Sequence, residues 1–303
     1  MFQDDLHSAK ESAALHQAYG RMADAVCESL GSYLWVVGEL FETFLKSQND
    51  IHAVPALLLM EYAEPIDGVS ILARVGSAKN CTQLLRTGME LQLNVMFLME
   101  GDDTYEQRCL AYEYFHFQNQ LRVAQKCDPN TEVGKQVRGQ SRDEPLGDIF
   151  DRTSSDIQSE IKALQAKVNS ARYAAVRAEV ARTKSKRWYG LWNGPANVEA
   201  LAGRLKQHAI YETLYRYWSS ASHGESALKR MILGKAEGLQ MHPVRSPAGL
   251  PAACRHACSL ANSMTLFIVD KRLPHLHPEM ANRFIERIKP GLDYIDSVQG
   301  LDG

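Results

Sequence analysis

The sequence predicts an all-α protein, and three observations carry that expectation. Apolar residues recur at spacings of three and four along most of the chain, as in Leu84, Leu85, Leu91, Val95 and Leu98. No segment shows a convincing two-residue alternation, which a half-buried strand requires. The eleven prolines leave 66–128, 146–194 and 196–242 free, and those stretches are where the helical period is strongest.

Taken in order, 4–47 is amphipathic, with a break expected near Gly31. The segment 53–76 is apolar on one side and should kink or restart at Pro65. A helix over 78–100 ends at Gly101, and Asp103-Thr104-Tyr105-Glu106 has the spacing of a capping box that would open the next one, about 104–127. Cys127-Asp128-Pro129-Asn130 stops it, and the polar, aperiodic stretch 129–150 reads as a mobile loop. From about Ser155 a long polar helix carries a narrow stripe of Ile157, Ile161, Leu164 and Val168. An aromatic turn, Trp188-Tyr189-Gly190-Leu191-Trp192-Asn193-Gly194-Pro195, precedes helices at about 196–206 and 208–223. A loop through 236–251, a helix over 252–272 and a C-terminal helix interrupted at Pro290-Gly291 complete the chain.

Composition bounds the function classes. A net charge of −2 on 303 residues gives no general attraction to nucleic acid or anionic membrane, so a polyanion must be met by a local basic patch. The N-terminus, MFQDDLHSAKES, is not expected to be a signal peptide. Apolar runs such as 53–60 fall short of the roughly 20 residues that span a bilayer, so a cytoplasmic protein with no membrane association is expected. Six scattered cysteines (Cys27, Cys81, Cys109, Cys127, Cys254 and Cys258) are then free thiols. Cys254, His256 and Cys258 do not make a metal site, because positions i and i+2 on a helix point about 200° apart. No cofactor is expected: phosphate loops, HExxH, GxSxG and EF-hand patterns are all missing from the sequence.

Three polar constellations stand out. Arg86, Glu90 and Asn94, four apart, form one stripe on an otherwise apolar helix. They either make a buried ion pair that sets helix register or line a cleft. If the pair is fully buried, removing Glu90 costs about 3–5 kcal/mol. Tyr211, Tyr215, Ser219 and His223 also advance by fours, and Arg216 lies seven before His223. Seven residues are nearly two turns, so Arg216, Ser219 and His223 share a side. An arginine can stabilise developing phosphoryl charge and a histidine can move protons near neutral pH, which suits phosphodiester chemistry. The same residues could instead hydrogen-bond inside a bundle. The third constellation is basic: Arg172, Arg177, Arg182, Lys184, Lys186 and Arg187 lead into Trp188, Tyr189 and Trp192. Cations beside aromatics suit single-stranded nucleic acid, whereas tryptophans that plug the core would leave only the charge.

Arg86-x3-Glu90 with Asn94, and Trp192-Asn-Gly-Pro followed by Tyr211-x3-Tyr215-x3-Ser219-x3-His223-Gly224, together resemble two motif blocks of a bacterial domain-of-unknown-function family in the HEPN-like (higher eukaryote and prokaryote nucleotide-binding) group. The resemblance covers roughly 53–230 in two islands. It implies a bundle of four or five helices, commonly dimeric, over 51–272, with a loop and basic helix inserted at 129–187. Residues 1–50 would add an N-terminal helical segment and 273–303 a helical tail. Many such domains are metal-independent ribonucleases of toxin–antitoxin, abortive-infection or CRISPR systems, with an Arg followed after four to six residues by a His. Arg216-x6-His223 sits at the long limit of that spacing, and Tyr217 departs from the polar residue that usually follows the Arg. The implied activity is RNA cleavage in a defence or toxin setting, with catalytic residues Arg216, His223 and Ser219. Arg86, Glu90, Asn94, Tyr211 and Tyr215 would support them, and Arg177, Arg182, Lys184, Lys186, Arg187, Trp188 and Trp192 would bind the strand. Expected partners are RNA, a second copy of the chain, and a neutralising or sensor protein. The competing expectation is a non-catalytic helical scaffold that binds a nucleotide or a protein.

Overall fold

The computed structural model describes residues 13–140, 147–222, 231–234, 238–241 and 247–298. Its elements are α1 (Ala13–Ser47), α2 (Ala53–Arg74), α3 (Ala78–Leu98), α4 (Asp102–Cys127), α5 (Glu132–Gln140), α6 (Gly147–Val168), α7 (Ala174–Thr183) and α8 (Val198–Arg204). They continue with α9 (His208–Ile210), a π-helical turn (Tyr211–Tyr215), α10 (Arg216–Ser222), strands β1 (Met231–Gly234) and β2 (Gly238–Met241), and α11 (Leu250–Arg272). The last are α12 (His277–Arg283), a second π-helical turn (Phe284–Ile288) and α13 (Lys289–Ser297). Single 3₁₀ turns join several of these. The all-α class holds. Among the described residues the one departure is an antiparallel hairpin pairing Met231 with Met241 and Gly234 with Gly238, inside a region without strand alternation.

The chain divides into two compact units, Met1–Met99 with Val198–Gly303, and Glu100–Asn197. In the first unit α1 packs on α2, α11 and α13, and α11 also meets α2 and α3, so the first and last described helices pack together in it. Tyr33 and Tyr62 are fully buried and meet edge to face at 5.3 Å. Their hydroxyls are satisfied: Tyr33 donates to the Leu59 carbonyl at 2.6 Å, and Tyr62 to Gln92 Oε1 at 3.4 Å. Gln92 Nε2 donates onward to Ser263 Oγ at 3.1 Å, so a hydrogen-bond relay ties α2, α3 and α11, and the separate Tyr33 bond ties α1 to α2.

The second unit builds on α4, which contacts α5, α6 and α7. The expected stripe on α6 is buried, and Ile157, Ile161 and Leu164 pack on Ala124 with Phe117 and Leu121 beside them.

Several local expectations are corrected. α1 runs unbroken through Gly31, whose position is exposed and uncrowded. An exposed helical glycine costs only about 1 kcal/mol, less than the burial of Val26, Leu30, Tyr33 and Val37 on the opposite face returns. α2 likewise continues through buried Pro65, sacrificing one backbone hydrogen bond to keep its packing. α4 opens at Asp102, and Thr104 Oγ1 donates to the Gly101 carbonyl instead of belonging to a capping box. The expected loop over 129–150 contains α5 and the start of α6. Asp128 Oδ1 accepts from Asn130 N, and Thr131 Oγ1 accepts from Gly134 N, so the same polar residues that stop α4 cap the start of α5. Pro290 does not break the last helix: Lys289 N–H reaches back five residues to the Phe284 carbonyl, and α13 follows directly.

Candidate functional site

α3 carries Arg86 and Glu90 on the side that faces the π-helical turn. Arg86 Nε donates to Glu90 Oε1 at 3.2 Å. Tyr215 Oη donates to the same carboxylate oxygen at 2.5 Å, and Arg86 Nη2 donates to Tyr215 Oη at 3.4 Å. The Arg86 and Glu90 side chains retain 24% and 40% exposure, so this is a half-buried cluster and the loss expected for full burial does not apply. Burial and the hydrogen bond to the Glu90 carboxylate push the Tyr215 phenol up to about 12, so at neutral pH it acts as a fixed donor. Asn94 is half-buried a turn further on and makes no hydrogen bond to the pair among the described residues.

The π-helical turn decides which way the following side chains point. Arg216 N–H donates to the Tyr211 carbonyl, five residues back, which widens the helix just before α10. Tyr211 and Tyr215 stack at 4.8 Å with 18° between their planes. Arg86 lies over the Tyr215 ring at 5.3 Å and Arg216 over the Tyr211 ring at 5.6 Å, so the two rings sit between two guanidinium groups.

Arg216 projects outward, its side chain 53% exposed. Its Nε meets Glu212 Oε2 at 2.8 Å and its Nη2 meets Glu199 Oε2 at 3.3 Å. The two carboxylates raise the arginine's already high pKa, Glu212 foremost, and fix the permanent positive charge. Ser219, one turn on, is half-buried, while His223 lies outside the described residues. The sequence reading missed both carboxylates. Glu212 could have been found, since it stands four before Arg216 on a helix; Glu199 is 17 residues away and carries no such signal.

The basic segment belongs to the second unit. Arg177 Nη1 donates to the Val168 and Ser170 carbonyls at 2.8 and 2.7 Å, satisfying the open end of α6. Arg182 is held in a two-pronged pair with Glu179, whose Oε1 also accepts from Trp192 N. Arg172 pairs with Glu113. Lys184, Lys186 and Arg187 are exposed. Trp188 is buried with its ring against Tyr112 at 5.4 Å, and Trp192 is half-buried at a positive φ. The aromatic turn thus serves packing, and the outward charge comes from its flanking cations. Gly194 lets the turn close, since a Cβ there would sit 1.9 Å from the Tyr189 carbonyl oxygen.

All six cysteines are free. Cys81, Cys254 and Cys258 are buried, and burial raises each thiol, Cys258 to about 11, which leaves them protonated and unreactive. Among the described residues no group of three His, Cys, Asp or Glu is arranged to hold a metal ion. Nor is any described helix long and apolar enough to cross a membrane.

Comparison with curated proteins finds no match, and neither does comparison with solved structures. A family model does match: it covers residues 52–238, more than half of the chain, and takes in the Arg86/Glu90 helix, the aromatic turn and the Tyr211–His223 block. The chain therefore belongs to DUF5677, a family of unknown function.

Proposed function

We propose that the chain is a HEPN-like, metal-independent endoribonuclease of a defence or toxin system, working through Arg216 and His223. The observation that supports it best is the meeting of the two motif islands. Glu90 and Tyr215, 125 residues apart in sequence, are joined by a 2.5 Å hydrogen bond one position before Arg216. This anchors the helix that presents Arg216, and leaves its guanidinium at the surface and out of the core.

In this reading His223 removes the proton from a ribose 2′-hydroxyl. The freed oxygen attacks the adjacent phosphorus, the bond to the 5′-oxygen breaks, and the departing 5′-oxygen takes up a proton. Arg216 stabilises the added negative charge on the phosphoryl oxygens, and Ser219 orients the phosphate. The incoming phosphate displaces Glu199 and Glu212 from Arg216. Lys184, Lys186 and Arg187 draw in the strand by charge, and two copies of the chain assemble, as in the family resembled.

The ion pairs of Arg216 favour a second reading, a non-catalytic scaffold in which this arginine only organises the surface around α8 and the π-helical turn. One experiment separates the two: incubation of purified protein with mixed cellular RNA in chelator, followed by end-group analysis. The nuclease reading expects 2′,3′-cyclic phosphate ends, no cleavage of DNA, and equal loss in Arg216→Ala, His223→Ala and the double variant, as for a coupled pair. Cleavage that persists in His223→Ala refutes the assignment, and its absence in wild type leaves the scaffold.

A further inference from the structure

Ile210, Leu214 and Trp218, around the π-helical turn and α10, help to line a pocket of about 170 Å³ in the first unit. Leu93 of α3 and Leu260 of α11 line it together with Leu214 and Trp218. Its size is that of an apolar cavity of roughly 150 Å³, which holds a single benzene-sized ring. Among the described residues no Asp, Glu, Lys or Arg lines it, so an ionised group entering it would find no counter-charge there.

The polar groups on the wall are unequal. Gln92 is buried and already engaged, donating to Ser263 Oγ and accepting from Tyr62, and Ser263 Oγ donates to the Leu260 carbonyl. His256 is different. Among the described residues its only ring contact is with Trp218, edge to face at 5.6 Å and 69°, and its nitrogens make no hydrogen bond. Burial lowers its pKa, so near neutral pH the imidazole is uncharged and offers one donor and one acceptor. A half-buried imidazole without partners is a group that a ligand satisfies at low cost.

We propose that this pocket is a binding site for a neutral, planar heteroaromatic molecule, seated against Trp218 and hydrogen-bonded by His256. The aromatic Trp218 and the aliphatic lining select a ring, the lack of charge among the described lining residues rejects an anion, and His256 and Gln207, whose side chains make no hydrogen bond among the described residues, select a ring bearing a hydrogen-bonding atom. The site does not depend on the ribonuclease reading, since Arg216 is not among its lining residues.

The test titrates the full chain with indole, followed by saturation-transfer NMR and by the His256 imidazole resonances. Saturable binding that moves the His256 signals is expected, with indole-3-acetate at least tenfold weaker because of its carboxylate. His256→Phe should weaken indole about tenfold, the effect of one hydrogen bond. Ser259→Trp, at the exposed edge of the pocket, should block entry while leaving the melting temperature unchanged. Non-saturable binding, equal affinity for indole-3-acetate, or unmoved His256 resonances would overturn the proposal. The His256 signals report on the site even if the Ser259 variant folds poorly.

Discussion

Replacing Glu90 by Ala removes the acceptor shared by Tyr215 and Arg86. A hydrogen bond from a neutral donor to a charged acceptor contributes about 1.5–3 kcal/mol, and a partly solvated ion pair about 0.2–1 kcal/mol. The pair's 24% and 40% side-chain exposure lets water recover part of both. The expected loss is therefore about 2 kcal/mol, below the 3–5 kcal/mol of a fully buried pair. Spread over the unfolding entropy of a unit of this size, that lowers the melting temperature by about 3–5 °C. Tyr215→Phe should lose about 1–2 kcal/mol, since its ring still packs between Tyr211 and Arg86. The decisive quantity is the double-mutant cycle, measured by denaturant unfolding, with an expected coupling of about 1–2 kcal/mol. Losses that add to within about 0.3 kcal/mol would show that the two side chains do not act on one another. The anchoring of the motif helix would then fall with them.

Gly291→Ala should cost about 1–3 kcal/mol, read as a lower melting temperature, because the new Cβ would lie 2.6 Å from the Ala25 Cβ where α13 crosses α1. Burial depresses the His256 pKa, so between its folded value and the ordinary 6.5 the unfolded chain binds more protons and stability rises with pH. The contribution is complete above about pH 6.5 and lost as the pH falls through the folded value. Thermal melts from pH 7.5 to 5 should fall less steeply in His256→Asn, and parallel curves would refute this. His52, whose pKa is also lowered by burial, gives a slope of the same sign that the variant retains. Glu199→Gln with Glu212→Gln releases Arg216, and on the ribonuclease reading should tighten RNA binding several-fold at low salt. Unchanged affinity in a filter or fluorescence titration would show that Arg216 does not meet the strand.

The helices of the core were legible because each needs only a buried stripe, and a stripe is a local pattern. Tyr33, Val37 and Leu40 on α1, or Ile157, Ile161 and Leu164 on α6, declare their inner face by spacing alone. The Arg86–Glu90 pair was legible for the same reason, being four apart on one helix. The polar stretch after Asp128 was not, because Gly134, Lys135 and Gln136 carry no apolar period. What makes them helical is the Thr131 cap and contact with α4.

By itself, then, the sequence determined the all-α class, the helix order and the identity of the two polar islands, since these follow from backbone preference and from residues within two turns of each other. Tertiary structure alone decided that Tyr215 completes the Arg86–Glu90 cluster and that Glu199 holds Arg216. It also decided that Arg177 donates to the carbonyls at the end of α6 and that the described lining of the pocket beside Trp218 carries no charged residue. Tyr215 with Glu90, and Arg216 with Glu199, join groups far apart in the chain, and the pocket lies between elements distant in sequence. The physical reason is the same in each case: local periodicity records which side of a helix is buried, while the partner that covers it is set by packing between segments whose separation leaves no trace in spacing.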